Sequence, residues 1–411
     1  MKSSSLRKED GAVLLMIVIV TMILLTIGTT MLLVNSNDSA IIKPVEREAP
    51  PIVVPDPPTG GRLIPNENDG ADDDFPGAED WGFAYVNFDP NLGYGTPDSP
   101  VPDLTQDLTT TGMLIIPPSV GQIVVQNNNL TYHADQGIYF GMSLEADKGT
   151  SALTLGSDSG VIKIAKSTSD IDIKVFKKIT VTNTGGSIKI EPGVDIRTIQ
   201  NQGDITLSAG QDVILRGAIL DSSSCIYLTA GSLGTGDLDL SQANLDADEN
   251  ITMNGDTISM DDAYLTSGGS ITVNGDEVNL SKVNLIAGGN ITIIGDNINL
   301  SGATLSAGGS ITVTTSGIIA ANTATLGAVG SIYITASTLI DLRNASLTAG
   351  GNKQYITLTL TGGTSTNKAQ ILVDNARFNK TASVTNTNLN TITITGSPAG
   401  TYNTNPASPY P

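Results

Sequence analysis

The 411-residue chain carries 21 Lys+Arg against 41 Asp+Glu, a formal net charge of −20, which repels phosphate backbones and argues against nucleic-acid binding. One His and one Cys leave no internal disulfide, no Cys/His zinc cluster and no His-based catalytic centre unless His133 supplies it. With 44 Gly, only 15% charged and 4% aromatic residues, the composition suits a repetitive β protein better than an ordinary enzyme domain.

Residues 1–11 read as a cytoplasmic leader and 12–34 as a transmembrane helix. Ala12 to Val34 contains no charge, and its 23 residues span about 34 Å as a helix, enough for a bilayer core. Lys2, Arg7 and Lys8 precede it and the next base is Lys43, so the positive-inside rule places the amino terminus in the cytoplasm and the bulk of the chain outside, on a prokaryotic cell surface. The segment Arg7-Lys-Glu-Asp-Gly11, followed by Ala12-Val-Leu-Leu-Met-Ile-Val-Ile-Val-Thr-Met-Ile-Leu-Leu, resembles the amino terminus of PilX-type accessory (type IV) pilins over about residues 7–36. The resemblance implies processing by a prepilin peptidase between Gly11 and Ala12 and pilus subunits as partners. Met16, fifth after that bond, departs from the Glu usual in major pilins and fits an accessory protein better than a filament-forming one. A plain signal anchor is the competing reading.

Residues 35–70 form a Pro-rich extracellular linker, with Pro44, Pro50, Pro51, Pro55, Pro57, Pro58 and Pro65 favouring a semi-rigid polyproline spacer. Residues 71–111 combine Asp72, Asp73, Asp74, Glu79 and Asp80 with Phe75, Trp81, Phe83, Tyr85, Phe88 and Tyr94. Such a stretch either caps the end of a core or presents aromatic faces to a sugar.

A repeat then sets the fold. Asn250-Ile-Thr-Met, Ser270-Ile-Thr-Val, Asn290-Ile-Thr-Ile and Ser310-Ile-Thr-Val place their Ile at 251, 271, 291 and 311, with Ile188, Ile205 and Ile226 before and Ile332 and Ile356 after as looser members. Within 288–307, Ile291-Thr-Ile293, Ile298-Asn-Leu300 and Ala303-Thr-Leu305 alternate apolar and polar, and Gly-Asp and Gly-Gly pairs separate them. Triplets this short bury a face only by stacking on their own copies. The expectation is an all-β, single-stranded parallel β-helix solenoid, right-handed, with ~20-residue coils over 112–397. Ile251, Ile271, Ile291 and Ile311 form one inward ladder; Met260, Leu280 and Leu300, and Leu265, Leu285 and Leu305, form two more. The units are similar to the repeats of filamentous-haemagglutinin-type adhesins over about 200–355, which implies a rod and a surface role. Residues 398–411, with Pro398, Pro406, Pro409 and Pro411, read as a disordered tail.

Chemistry-bearing residues are few. Asp256, Asp276 and Asp296 each follow a Gly in equivalent turns, with Asp237 after Gly236 as the candidate next member. Carboxylates stacked about 5 Å apart repel, and bridging Ca²⁺ would relieve this; Gly-Asp as simple turn chemistry is the plainer account. Asp261 and Asp262 near Asp256 could serve glycoside hydrolysis, although no Arg or Lys lies between Arg216 and Lys282. His133 reads as a surface or turn histidine. Cys225 occupies the slot before the repeat Ile, where other units carry Asp204, Asn250, Ser270, Asn290 and Ser310, and is expected to be a quiet buried thiol. Thr252, Thr272, Thr292 and Thr312, then Asn279 and Asn299, line outward positions that suit glycans or another protein. The expected function is a membrane-anchored or pilus-associated structural or adhesive protein, non-enzymatic and without a cofactor other than Ca²⁺. The alternative is a membrane-tethered protein that binds or cleaves polysaccharide.

Overall fold

The computed structural model describes residues 104–116, 122–126, 129–148, 151–165, 171–200, 202–232, 235–350, 354–363 and 368–379, with strand segments at 382–385, 392–395 and 402–403. The expected leader, the expected helix over 12–34 with Gly11 and Ala12, the expected Pro-rich linker and the aromatic stretch 75–94 lie outside them. Among the described residues the fold is all-β, and no helix is long and apolar enough to cross a membrane.

Successive strands pass in rotation to three parallel sheets. Sheet 1 begins with Leu108–Thr110, sheet 2 with Leu114–Ile116 and sheet 3 with Gln122–Gln126, and they hold 14, 13 and 12 described strands. One central coil comprises Ile251–Asn254 in sheet 1, Thr257–Ser259 in sheet 2 and Tyr264–Ser267 in sheet 3. Each strand pairs with its counterpart one coil away. Ile251, Ile271, Ile291 and Ile311 stand in register, as do Leu265, Leu285 and Leu305. Ladder residues 251–311, Met260, Leu280 and Leu300 are fully shielded from solvent. The result is a continuous aliphatic core enclosed by three short-stranded faces, as the alternating triplets require.

One member of the expected repeat is corrected. Ile188 belongs to sheet 2, opposite Ile162 and Val213; the sheet 1 partner of Ile205 is Ile179. Gly185-Gly-Ser-Ile188 imitates Gly268-Gly-Ser-Ile271 but follows a sheet 1 strand, Lys178–Asn183, instead of preceding one. Near the other end, Tyr402–Asn403, inside the segment read as a tail, pairs in parallel with Ala382–Ser383.

The three corners are built differently. Between sheets 3 and 1, the central coils stack closely at glycine: a Cβ on Gly288 would lie 2.2 Å from the Gly268 carbonyl oxygen, and one on Gly308 2.1 Å from that of Gly288, whereas Asp248 and Val329 hold the same slot in the coils on either side. Between sheets 2 and 3, one residue per coil adopts the left-handed conformation, including Gln242, Asp262, Lys282, Gly302, Thr323, Asn344 and Asn375, with φ between 56° and 71°. Between sheets 1 and 2 stand the Gly-Asp pairs. Buried polar groups at corners are satisfied: Asn183 Nδ2 donates to the Gly160 and Ser187 carbonyls, both at 2.9 Å, and its Oδ1 accepts from Gly186 N at 2.9 Å.

Candidate functional site

The outward positions of sheet 1 form the most regular polar surface. Thr154, Thr180, Thr206, Tyr227, Thr252, Thr272, Thr292, Thr312, Tyr333 and Thr357 follow one another in register. The adjacent rank runs Thr229, Asn254, Asn274, Ile294, Thr314 and Thr335. No charged side chain enters either rank between Ile226 and Thr335, although the chain carries −20 overall. Tyr227 and Tyr333 are each about 40% exposed and bracket four threonines. On sheet 2, Asn299 Nδ2 donates to Asn279 Oδ1 at 3.0 Å and Asn297 Nδ2 to Glu277 Oε1 at 2.6 Å, along a shallow open depression that also involves Ile318.

The expected Asp ladder is partly realised. Asp276 N donates to Asp256 O at 2.8 Å and Asp296 N to Asp276 O at 2.6 Å, so these three stack coil on coil. Asp237 is corrected out of the ladder: Asp256 N bonds Gly236 O, and Asp237, one position before the Leu238–Ile258 pair, falls level with Thr257. Asp276 and Asp296 are exposed, and Ser316 Oγ donates to Asp296 Oδ1 at 2.6 Å. A single file of carboxylates at coil spacing offers an ion at most two of them, far from the six to eight oxygens Ca²⁺ takes. Asp261 and Asp262 lie at the opposite end of strand Thr257–Ser259 from Asp256, in the left-handed corner. Lys282 Nζ lies 3.7 Å from Asp261 Oδ1 and 3.8 Å from Asp262 Oδ2, and Ser281 Oγ donates to Asp261 at 2.7 Å. This is a hydrogen-bonded, cation-neutralised turn on an open surface.

Cys225 is buried at 4% exposure. Its slot forms a rung system at the corner into sheet 1. Asp204 Oδ1 accepts from Cys225 N at 3.2 Å, Asn250 Oδ1 from Ser270 N at 2.8 Å, Ser270 Oγ from Asn290 N at 3.0 Å, and Asn290 Oδ1 from Ser310 N at 2.8 Å. Cys225 replaces oxygen with sulfur in this series, and Asn250 Nδ2 reaches Sγ only at 3.9 Å. Its hydrogen bond with Tyr227, followed by burial and the nearby Asp204 and Glu249, pushes the Tyr227 hydroxyl up to about 12.

Several charged side chains of sheets 2 and 3 form ion pairs, among them Lys163–Glu191, Arg197–Asp195, Arg216–Asp239 and Arg343–Asp341. Arg343 forks onto Asp341, Nε–Oδ1 2.9 Å and Nη2–Oδ2 2.6 Å; burial pushes Asp341 up, and these bonds outweigh it and hold it below the usual carboxylate range. Asp239 behaves likewise: burial raises it, while the Ser241 amide at 3.0 Å, the Ser241 hydroxyl at 2.7 Å and the Arg216 guanidinium bring it below the ordinary value. Asp221 is raised, by burial first, against the lowering effect of Arg197.

The sequence reading gave His133 no partner. The structure places it on strand Leu130–Ala134 with Nε2 3.8 Å from Asp135 Oδ1 and 3.7 Å from Asp158 Oδ2. Asp135 is two residues away in sequence, but Asp158 comes from the next coil, 25 residues on, where the coil spans 23 residues and not 20. No protein-family model, curated protein or solved structure matches the chain.

Proposed function

We propose that this chain is a surface-displayed structural and adhesive protein: a helix at 12–34 anchors it in the membrane or in a pilus-like assembly, the Pro-rich segment spaces it, and the solenoid, right-handed like nearly all parallel crossovers, presents its sheet 1 face to neutral glycans. The carrying observation is that face: an uncharged double rank, Thr and Asn but for the exposed Ile294, repeating once per coil between Tyr227 and Tyr333. Hydroxyl and amide groups fixed about 4.8 Å apart meet a hydroxyl-rich polymer without a large ordering cost, and tyrosines supply flat amphipathic area at its margins. The acidic remainder of the surface discourages anionic partners and leaves this face as the one where charge does not interfere.

The test is binding of the full-length chain to immobilised neutral polysaccharides, with Thr272→Lys/Thr292→Lys as the comparison. Outward Lys side chains at these half-exposed positions preserve the core, so binding is expected to fall at least tenfold with an unchanged circular dichroism spectrum. Equal binding by both proteins, or none by either, would overturn the adhesive reading. Release of new reducing ends from the polymer would overturn its non-enzymatic part. Intact-mass measurement of the chain recovered from membranes addresses the anchor: a start at Ala12 supports the pilin-like route, and a start at Met1 removes it.

A further inference from the structure

The cluster of His133, Asp135 and Asp158 lies on the second rank of sheet 1, several coils before the run between Tyr227 and Tyr333, and away from the Asp256 ladder. Three features of it converge. One nitrogen and two carboxylate oxygens, one from each residue, lie within 4.8 Å of one another. The imidazole is given its place by a glycine: Gly156 is the register partner of His133, and a Cβ there would lie 2.8 Å from His133 Nδ1. Further along the same rank stand Thr182, Ser208 and Thr229, so the slot is empty of side chain where the ring needs it. The two turns are also held at one coil spacing, Asp158 N donating to Ala134 O at 3.4 Å and Ser159 Oγ to Asp135 O at 2.6 Å.

Charge gives the cluster its chemistry. Among the described residues no Lys or Arg pairs with Asp135 or Asp158. A neutral imidazole leaves two negative charges unbalanced and a protonated one leaves one, so a divalent cation is the species that neutralises the set. A single imidazole nitrogen with two carboxylates is a borderline donor set, suited to Zn²⁺ better than to Ca²⁺, which takes oxygen ligands in larger number. Bonds of about 2.0–2.2 Å to a shared tetrahedral ion would bring the donor atoms to roughly 3.3–3.5 Å of one another. The two imidazole–carboxylate contacts, at 3.7 and 3.8 Å, close by a few tenths of an ångström, and the two carboxylates, within 4.8 Å of each other, are brought together by rotation of exposed side chains.

We propose that His133, Asp135 and Asp158 form a Zn²⁺ site that staples two successive coils near the start of the described solenoid. Two ligands come from one coil and the third from the next, so the ion resists their separation. Half-exposure of His133 and Asp135 and fuller exposure of Asp158 leave the remaining coordination positions to water.

The chain's single histidine makes the test clean. Tag-free full-length protein in detergent is stripped with chelator, dialysed, and titrated calorimetrically with ZnCl₂, then with CaCl₂. One Zn²⁺ per chain is expected, with Ca²⁺ at least tenfold weaker. Affinity should fall at least tenfold in Asp158→Asn and in His133→Gln. Selective ¹³C labelling of histidine yields one Cε1 signal, which should shift on adding Zn²⁺ to the wild type and not to Asp158→Asn. The absence of saturable binding, equal affinity in the variants, or a Cε1 signal indifferent to Zn²⁺ would each overturn the site. So would a signal that responds to pH alone, which would make His133 an ion-pair partner and not a ligand. The NMR readout on wild-type protein keeps the proposal falsifiable should either variant fail to fold.

Discussion

Thr323 occupies the left-handed corner at φ 60°, exposed, where neighbouring coils carry Gly302 and Asn344. A β-branched side chain is poorly tolerated there, whereas Asn accepts the conformation readily. Thr323→Asn is therefore expected to stabilise the fold by about 0.5–1 kcal/mol, read as a higher urea midpoint; an unchanged or lower midpoint would contradict the strain argument. Two carboxylates differ in sign at the same scale. Asp239 is held below its ordinary value, so its contribution is present above the unfolded carboxylate range and is lost as pH falls through the folded value. Asp221 is raised, so its contribution is present in acid and is lost as pH rises through its folded value. At pH 7, Asp239→Asn should lower the melting temperature and Asp221→Asn should raise it. The Asp221 difference should vanish near about pH 3, where that carboxylate is protonated in either state, whereas the Asp239 difference should shrink only as pH falls below the ordinary carboxylate range and through its lower folded value. Melting curves at the two pH values decide this.

At the scale of strands and corners, periodicity made the central coils legible because inward residues must alternate and repeat with the coil. Ile271, Leu280 and Leu285 are inward for that reason, and their ladders match the 20-residue spacing. What the pattern did not carry is why glycine sits at the corner into sheet 1. Gly288 and Gly308 read as turn formers, yet here the preceding coil's carbonyl comes so close that a side chain would have to displace it, as Asp248 and Val329 do in the same slot of the flanking coils. Gly288→Ala should thus cost at least about 1–3 kcal/mol, through displacement of stacked backbone, although alanine is the gentlest possible addition. Leu285→Ala, which empties a fully shielded ladder position, should cost about 2–5 kcal/mol. Denaturant unfolding of both variants checks these figures, and a Gly288→Ala protein as stable as wild type would refute the stacking account. The same limit hid the His133 cluster. Gly156 carries no side-chain signal, and Asp158 joins His133 only through a coil that is longer than the period.

For the solenoid as a whole, each coil contacts only its neighbours, so stability is a sum of local coil and interface contributions. Those contributions are not uniform along the chain. From Ile251 to Ile311 the register advances in constant steps, every inward position of the three ladders is filled by Ile, Leu, Met or Val, and the corner amides are capped by the Asn250, Ser270 and Asn290 side chains. Beyond Ile356 the sheet 1 slot passes to Ala382 and then Tyr402, the sheet 3 strand shortens to Arg377–Phe378, and the last sheet 1 strand is Tyr402–Asn403. There the sheet 3 pairing and the last sheet 1 pairing fall to two residue pairs each, against four in the central coils. Opening should start at the carboxyl end and stop at the regular coils, because propagation into them removes a larger interface at each step. Hydrogen exchange followed by mass spectrometry is expected to give amides of Ile251–Asn254, Ile271–Asn274 and Ile291–Gly295 the slowest exchange, at least a hundredfold slower than those of Ala369–Leu372 and Ile392–Thr395. Uniform protection from Ile251 through Thr395 would mean that the coils open as one cooperative unit, and the nearest-neighbour description would then fail for this chain.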